Sequence, residues 1–195
     1  MSDVVNRLRT RMPTQRHRPP PLPDGVRLRR DRDVPTCARL VRRAFFEGQF
    51  PGKHDEEPRL WLTDPDVLGA WVTEQEGEVV AHVAISRVDS HLDAVTSLRW
   101  RESTGHVPSD LVAVSRLFVR PRFRGQGIAA TLIDVACAEI RSRGHVPVYE
   151  VTTTSSLPPP YSRDHGWRLR STEPWTDRHQ DLWIHRFEAA LPRED

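Results

Sequence analysis

The segment Leu117-Phe-Val-Arg-Pro-Arg-Phe-Arg-Gly-Gln-Gly-Ile-Ala129 constrains the fold of this 195-residue chain more than any other. An apolar run that reads as a strand enters an arginine-rich turn with two glycines, and a helical pattern starts at once. Gly125 and Gly127 let the backbone approach a ligand with no Cβ in the way. The first amides of the following helix have no intrahelical partner, and the helix dipole makes that end mildly positive. A strand, turn and helix in this order form a site for a phosphate or pyrophosphate, and Arg120, Arg122 and Arg124 place full charges around it.

The patterning on either side predicts a mixed α/β domain. Residues 111–119 are largely apolar on both faces, as in a central strand covered on both sides, with Leu111, Ala113, Ser115, Leu117 and Val119 expected on one face. Residues 128–143 carry a helical stripe of Ile128, Leu132, Val135, Ala136 and Ile140, and Gly144 is placed to end the helix. Upstream, residues 26–29 read as a short strand. Asp33 reads as the N-cap of a helix over 34–47, with Pro35 in its first turn and Val34, Ala38, Val41, Ala44 and Phe45 on its apolar face. A short helix or turn is expected at 59–63. The β-branched runs 67–74 and 79–87 flank Gln75-Glu-Gly-Glu78 and predict a hairpin. Residues 88–109 are polar and weakly patterned, and a long loop is expected there. Strands are expected again at 146–151, 167–170 and 182–187, the last two antiparallel.

Composition narrows the function classes. With 37% hydrophobic and 29% charged residues, the chain can bury the core of one domain. Residues 1–24 hold five arginines and five prolines and read as a disordered basic tail, which leaves 25–191 as the folded domain. A net charge of +2 is too small to argue for nucleic acid. No apolar run approaches the ~18 residues of a membrane span and no signal-peptide pattern follows the N-terminus, so a cytoplasmic protein without a membrane partner is expected. The two cysteines, Cys37 and Cys137, are far apart and the nine histidines are scattered. Neither a disulfide framework nor a metal site is expected.

Three glycine-rich patterns compete for the turn. A phosphate-binding P-loop needs Gly-Lys-Ser/Thr after its first glycine and four further residues, and no such string occurs. Gly125, Gly127 and Ala130 fit the dinucleotide-binding fingerprint, with Glu150 at a suitable distance for a ribose hydroxyl. Against it, residues 120–124 separate the strand from the first glycine, and the motif comes late for a doubly wound sheet. In the third pattern, Arg122-Phe-Arg-Gly125-Gln-Gly127 follows Gln/Arg-x-x-Gly-x-Gly/Ala. Here the chain resembles the GCN5-related N-acetyltransferase superfamily. Leu117-x-Val119-x-Pro121 before the signature, Ile128-Ala129 after it and Gly166-Trp167 near the end extend the resemblance over about residues 26–187.

That resemblance implies a mostly antiparallel sheet flanked by helices and splayed between the central strand and the following one, with acetyl-CoA as acyl donor in the gap. It implies that the backbone at Leu117, Phe118 and Val119 lies along the pantetheine arm, with the Val119 amide a candidate to polarise the thioester carbonyl. The turn formed by Arg122, Arg124, Gly125, Gln126, Gly127, Ile128 and Ala129 would hold the pyrophosphate. An amine acceptor would attack the thioester directly in a ternary complex. Tyr161, or Ser162 where the family spacing falls, would protonate the departing thiolate. Ser115, Asp110, Glu150, Glu56 and Glu57 are candidates to assist deprotonation of the amine, and Phe46, Phe50 and Trp61 to line an acceptor pocket. Homodimerisation is common in such folds. A non-catalytic acyl-CoA sensor of the same fold is the alternative.

Overall fold

The computed structural model describes residues 21–46, 57–89, 94–158, 166–177 and 180–190. Its apolar and β-branched runs become strands β1 (Val26–Leu28), β2 (Val67–Gln75), β3 (Glu78–Arg87), β4 (Leu111–Val119), β5 (Val146–Thr153), β6 (Trp167–Asp177) and β7 (Gln180–Ala189). The helices are α1 (Val34–Phe46), α2 (Pro58–Leu62), α3 (Ala94–Thr104) and α4 (Ile128–Ser142). The strands form one sheet in the order β1-β2-β3-β4-β5-β7-β6. β4 and β5 are parallel, and the other neighbours are antiparallel. Parallel neighbours need a crossover, and α4 supplies it. Among the described residues no helix is long and apolar enough to cross a membrane.

Strand alternation sends side chains to two cores. On one face, Ile128, Leu132, Ala136, Cys137 and Ile140 of α4 pack on Val83, Ile85, Val112, Val114 and Phe187. On the other, Cys37, Ala38 and Val41 of α1 and Leu62 of α2 pack on Val72 and Phe118. Trp100 of α3 covers Val88, Leu111 and Val148 farther along that second face. Both cysteines belong to these cores, and burial pushes each thiol up to about 12, so neither is poised as a thiolate. The helices expected from 34 and from 128 occur as Val34–Phe46 and Ile128–Ser142, and the hairpin and the final antiparallel pair are present, with β6 and β7 longer than the sequence suggested.

Two local expectations are corrected. The stretch expected to be a loop holds α3. Its sequence has no apolar stripe because its inner face is anchored by charge: Trp100 is the buried residue, the Arg186 guanidinium lies 5.7 Å from its ring, and Arg99 pairs with Glu173. Arg186 is only 2% exposed and is paired with Glu173 and with Glu150, whose Oε2 is 2.8 Å from Nε but outside hydrogen-bond alignment. Asp33 is likewise not the N-cap of α1. A 3-10 turn over Asp31–Asp33 runs into the helix, and the Asp33 carboxylate accepts hydrogen bonds from the Arg27 guanidinium at 2.7 and 3.0 Å and from the Arg30 amide at 2.7 Å.

Candidate functional site

The sheet opens at its centre. β4 pairs with β5 only from Leu111↔Val146 to Val114↔Tyr149. Beyond that point β5 stays on β7 as far as Thr153↔Trp183, while β4 stays on β3 as far as Ala81↔Val119. Residues 115–119 and 150–153 therefore face each other across a wedge with no ladder between them, and unpaired strand edges of this kind offer hydrogen bonds to a ligand. β4 leads from this wedge through the 3-10 turn Pro121–Phe123 into the glycine turn.

A bulge in β4 sets which groups face that wedge. Ser115 is opposite Ala84 and Phe118 is opposite His82, so Arg116 and Leu117 together oppose Val83. Arg116 has a φ of +52°, a left-handed conformation that costs an L-residue roughly 1–2 kcal/mol. Its side chain makes up for this: Nε donates to the Trp61 carbonyl at 2.6 Å and Nη1 to Ser86 Oγ at 2.6 Å, while Nη2 lies 3.7 Å from Asp64. Strain held by surrounding contacts is typical of functional sites. The bulge also corrects the expected face. Leu117 and Val119 pack towards α4, whereas Ser115 stays on the α1–α2 side, bonded to Ser86 Oγ at 2.7 Å.

His82 lies behind the bulge on β3. Its Nδ1 is 2.8 Å from the Arg116 carbonyl oxygen and its Nε2 is 3.2 Å from Nη1 of Arg29. A guanidinium can only donate, so Nε2 accepts and Nδ1–H donates to the carbonyl. The ring stacks on Phe118 with centroids 5.0 Å apart. Burial lowers its pKa to about 3, so the ring is neutral at ordinary pH.

The turn after β4 has the geometry of an anion cradle. Pro121–Phe123 make one 3-10 turn, then Gly125 and Gly127 take φ of +75° and +78° and α4 starts at Ile128. Thr131 N makes the first helical bond, to Gly127 O at 3.0 Å. The amides of Gly125, Gln126 and Gly127 donate to no backbone carbonyl among the described residues. A Cβ built on either glycine meets no atom within 4 Å, so the space in front of the turn is open. These residues fit a pyrophosphate: unpaired amides, the positive end of a helix and clear approach. The Arg124 amide is already engaged, donating to Pro121 O at 3.1 Å, while the Arg124 Nε reaches Val119 O at 3.1 Å. Arg120 and Arg122 both engage Glu78, the latter at 3.0 Å, and Arg122 also covers the Phe123 ring. The Arg120 hydrogen bond and charge hold the Glu78 carboxyl below its usual range.

The wedge thus brings together Leu117, Val119 and the turn from Gly125 to Ala129. Phe118 points away from it, into the core under α1 and α2. Arg120 N donates to Val80 O, so by antiparallel alternation the Val119 amide turns away from β3, towards the wedge. Trp61 supplies a carbonyl and a ring to Arg116, at 5.3 Å from the centroid. Glu150 is engaged with Arg186, Asp110 sits in an exposed 3-10 turn, and Glu57 is exposed at the start of α2. Tyr161, Ser162, Phe50 and Glu56 lie outside the described residues, as does the side chain of Phe46. Arg116 and Arg29 escaped the sequence reading, since neither strand position carries a local signal. His82 was visible only as a histidine inside an apolar strand.

Comparison with known proteins agrees with this geometry. Residues 35–159 match the acetyltransferase (GNAT) family. The uncharacterized N-acetyltransferase YhbS of Escherichia coli K12 is 29% identical over 164 residues, covering 80% of this chain and 82% of that protein. The ribosomal-protein-alanine N-acetyltransferase of Brucella melitensis superposes with a TM-score of 0.59 at 20% identity, covering 83% of this chain and 97% of that one. The yncA protein of Salmonella typhimurium, solved with its cofactor acetyl-CoA, superposes at 0.60 with 16% identity, covering 87% and 96%.

Proposed function

The chain belongs to the acetyltransferase (GNAT) family, and on that footing we propose that it moves an acetyl group from acetyl-CoA to a primary amine by direct attack within a ternary complex. The observation that carries this reading is the continuity of the β4–β5 wedge with the open, left-handed glycine turn. The amides of Gly125, Gln126, Gly127, Ile128 and Ala129 hold the pyrophosphate. The backbone of Leu117 and Val119 aligns the pantetheine arm and meets the thioester oxygen, where a preorganised donor stabilises growing negative charge. Arg122 and Arg124 add a diffuse positive field.

In the reaction the amine nitrogen forms a bond to the carbonyl carbon, the carbon–sulfur bond breaks, and the amine proton passes to water. Tyr161 supplies the proton that the thiolate takes up, with Ser162 as the second candidate. Both readings rest on the family resemblance and are open to substitution: Tyr161→Phe lowers turnover and leaves acetyl-CoA affinity unchanged if the hydroxyl is the acid.

Isothermal titration with acetyl-CoA, followed by thiol release across a panel of amines, tests the proposal. One-to-one binding with amine-dependent thiol release supports it. Tight binding without amine-dependent release makes the chain an acyl-CoA sensor instead. Absence of binding overturns both.

A further inference from the structure

His82 is not needed to fill the core, because an apolar side chain would do so without burying two ring nitrogens. Its fully buried imidazole spends one nitrogen on the Arg29 guanidinium and the other on a single carbonyl, that of Arg116. Arg29 is fixed in turn by donating to the Leu62 carbonyl at 2.8 Å. The chain β1–His82–bulge is therefore braced at both ends, and the bond from Nδ1 ends on the one peptide of β4 that the bulge has rotated.

A trans peptide is planar, with its C=O and N–H on opposite sides. The plane joining Arg116 and Leu117 has its oxygen drawn towards the His82 ring, which rises from β3 on the α1–α2 face and stacks there on Phe118. Its N–H, which belongs to Leu117, consequently points away from β3. On that side β5 has already left the ladder after Val114↔Tyr149. Fixing the carbonyl therefore aims the Leu117 amide into the wedge.

We propose that His82 is a positioning residue for the acyl subsite: through the Arg29–His82–Arg116 carbonyl relay it holds the β4 bulge so that the Leu117 amide meets the thioester oxygen. The inference rests on the proposed acetyl-CoA reading but is separable from it. The groups that face His82 are Arg29 just after β1, the Arg116 carbonyl and guanidinium and the Phe118 ring from β4, and Val72 from β2; among these no carboxylate contacts the ring. The ring thus works as a neutral donor and acceptor, not as an acid or base.

The test compares the affinities of CoA and acetyl-CoA, which need no acceptor. In the wild type the Leu117 amide adds a hydrogen bond that only acetyl-CoA accepts, worth about fivefold in affinity. His82→Leu leaves CoA affinity within about twofold and removes the preference for acetyl-CoA. His82→Asn, whose side-chain amide places a donor near the old Nδ1, restores most of it. An unaltered preference in folded His82→Leu overturns the proposal, and so does a wild type that does not prefer acetyl-CoA. Binding of neither ligand overturns the acetyl-CoA reading instead. If His82→Leu does not fold, the wild-type amide spectrum decides: the Leu117 signal shifts further with acetyl-CoA than with CoA, and equal shifts refute the role.

Discussion

Two glycines with the same backbone strain separate folding from function in the pyrophosphate turn. Gly127 and Gly105 have φ of +78° and +77°, and a Cβ built on either meets nothing within 4 Å. Alanine at each position therefore carries the same left-handed cost, roughly 1 kcal/mol, and no steric clash with the protein. For a domain of this size that corresponds to a melting temperature lower by about 2–4 °C in both variants. Their positions differ. Gly105 ends α3 and its amide is bonded to Arg101 O at 2.9 Å, whereas the Gly127 amide opens α4 and has no backbone acceptor among the described residues. Amide bonds to a charged phosphate contribute about 1.5–3 kcal/mol each, so displacing the ligand enough to lose one costs about 10- to 100-fold in affinity. Differential scanning fluorimetry and isothermal titration with acetyl-CoA measure both quantities. Equal melting losses with weakened binding in Gly127→Ala alone fit the account. Equal binding by both variants would refute the assignment of the turn.

Three further outcomes follow from the charges. His82 carries a pKa of about 3 in the folded chain and about 6.5 unfolded, so below pH 6.5 the unfolded chain binds the extra proton. Its contribution is complete above about pH 6.5 and declines by about 1.4 kcal/mol per pH unit towards pH 3; urea midpoints should fall between pH 6.5 and 5 in the wild type and stay flatter in His82→Asn, and equal slopes would count against a neutral buried ring. Arg186→Leu leaves Glu173 to Arg99 and removes the guanidinium beside Glu150, and should destabilise by about 1–3 kcal/mol in denaturant titrations. A loss under about 1 kcal/mol would mean that the pairing is incidental. Glu78→Gln releases Arg120 and Arg122 beside the turn, and acetyl-CoA affinity should rise about two- to threefold at low salt and return to wild type near 0.5 M. An increase that persists in salt would point to a conformational cause.

The strand, glycine turn and helix of the candidate site were legible in the sequence because their chemistry is local. A left-handed turn needs Gly125 and Gly127, and the apolar periods before and after them mark the strand and the helix. The bulge was not legible: a positive φ at Arg116 is held by Trp61 of α2, Asp64 of the loop after it, and His82 and Ser86 of β3, all distant in sequence. An unbroken alternation was the natural reading of 111–119, and it put Leu117 and Val119 on the same face as Ser115. α3 was missed for a related reason. Its inner surface meets a paired arginine rather than an apolar floor, so periodicity had nothing to report. Cys37 and Cys137 belong to the helical stripes as small apolar residues, which their identity as thiols obscured.

The central claim places acetyl-CoA in the wedge between β4 and β5 with its pyrophosphate on the glycine turn. Amide chemical shifts recorded while acetyl-CoA is added test it most directly. The account predicts the largest changes at Gly125, Gln126, Gly127, Ile128 and Ala129, with Leu117 and Val119 moving in the same titration. Saturable shifts that spare these residues and cluster elsewhere, or no saturable shift at all, would contradict it.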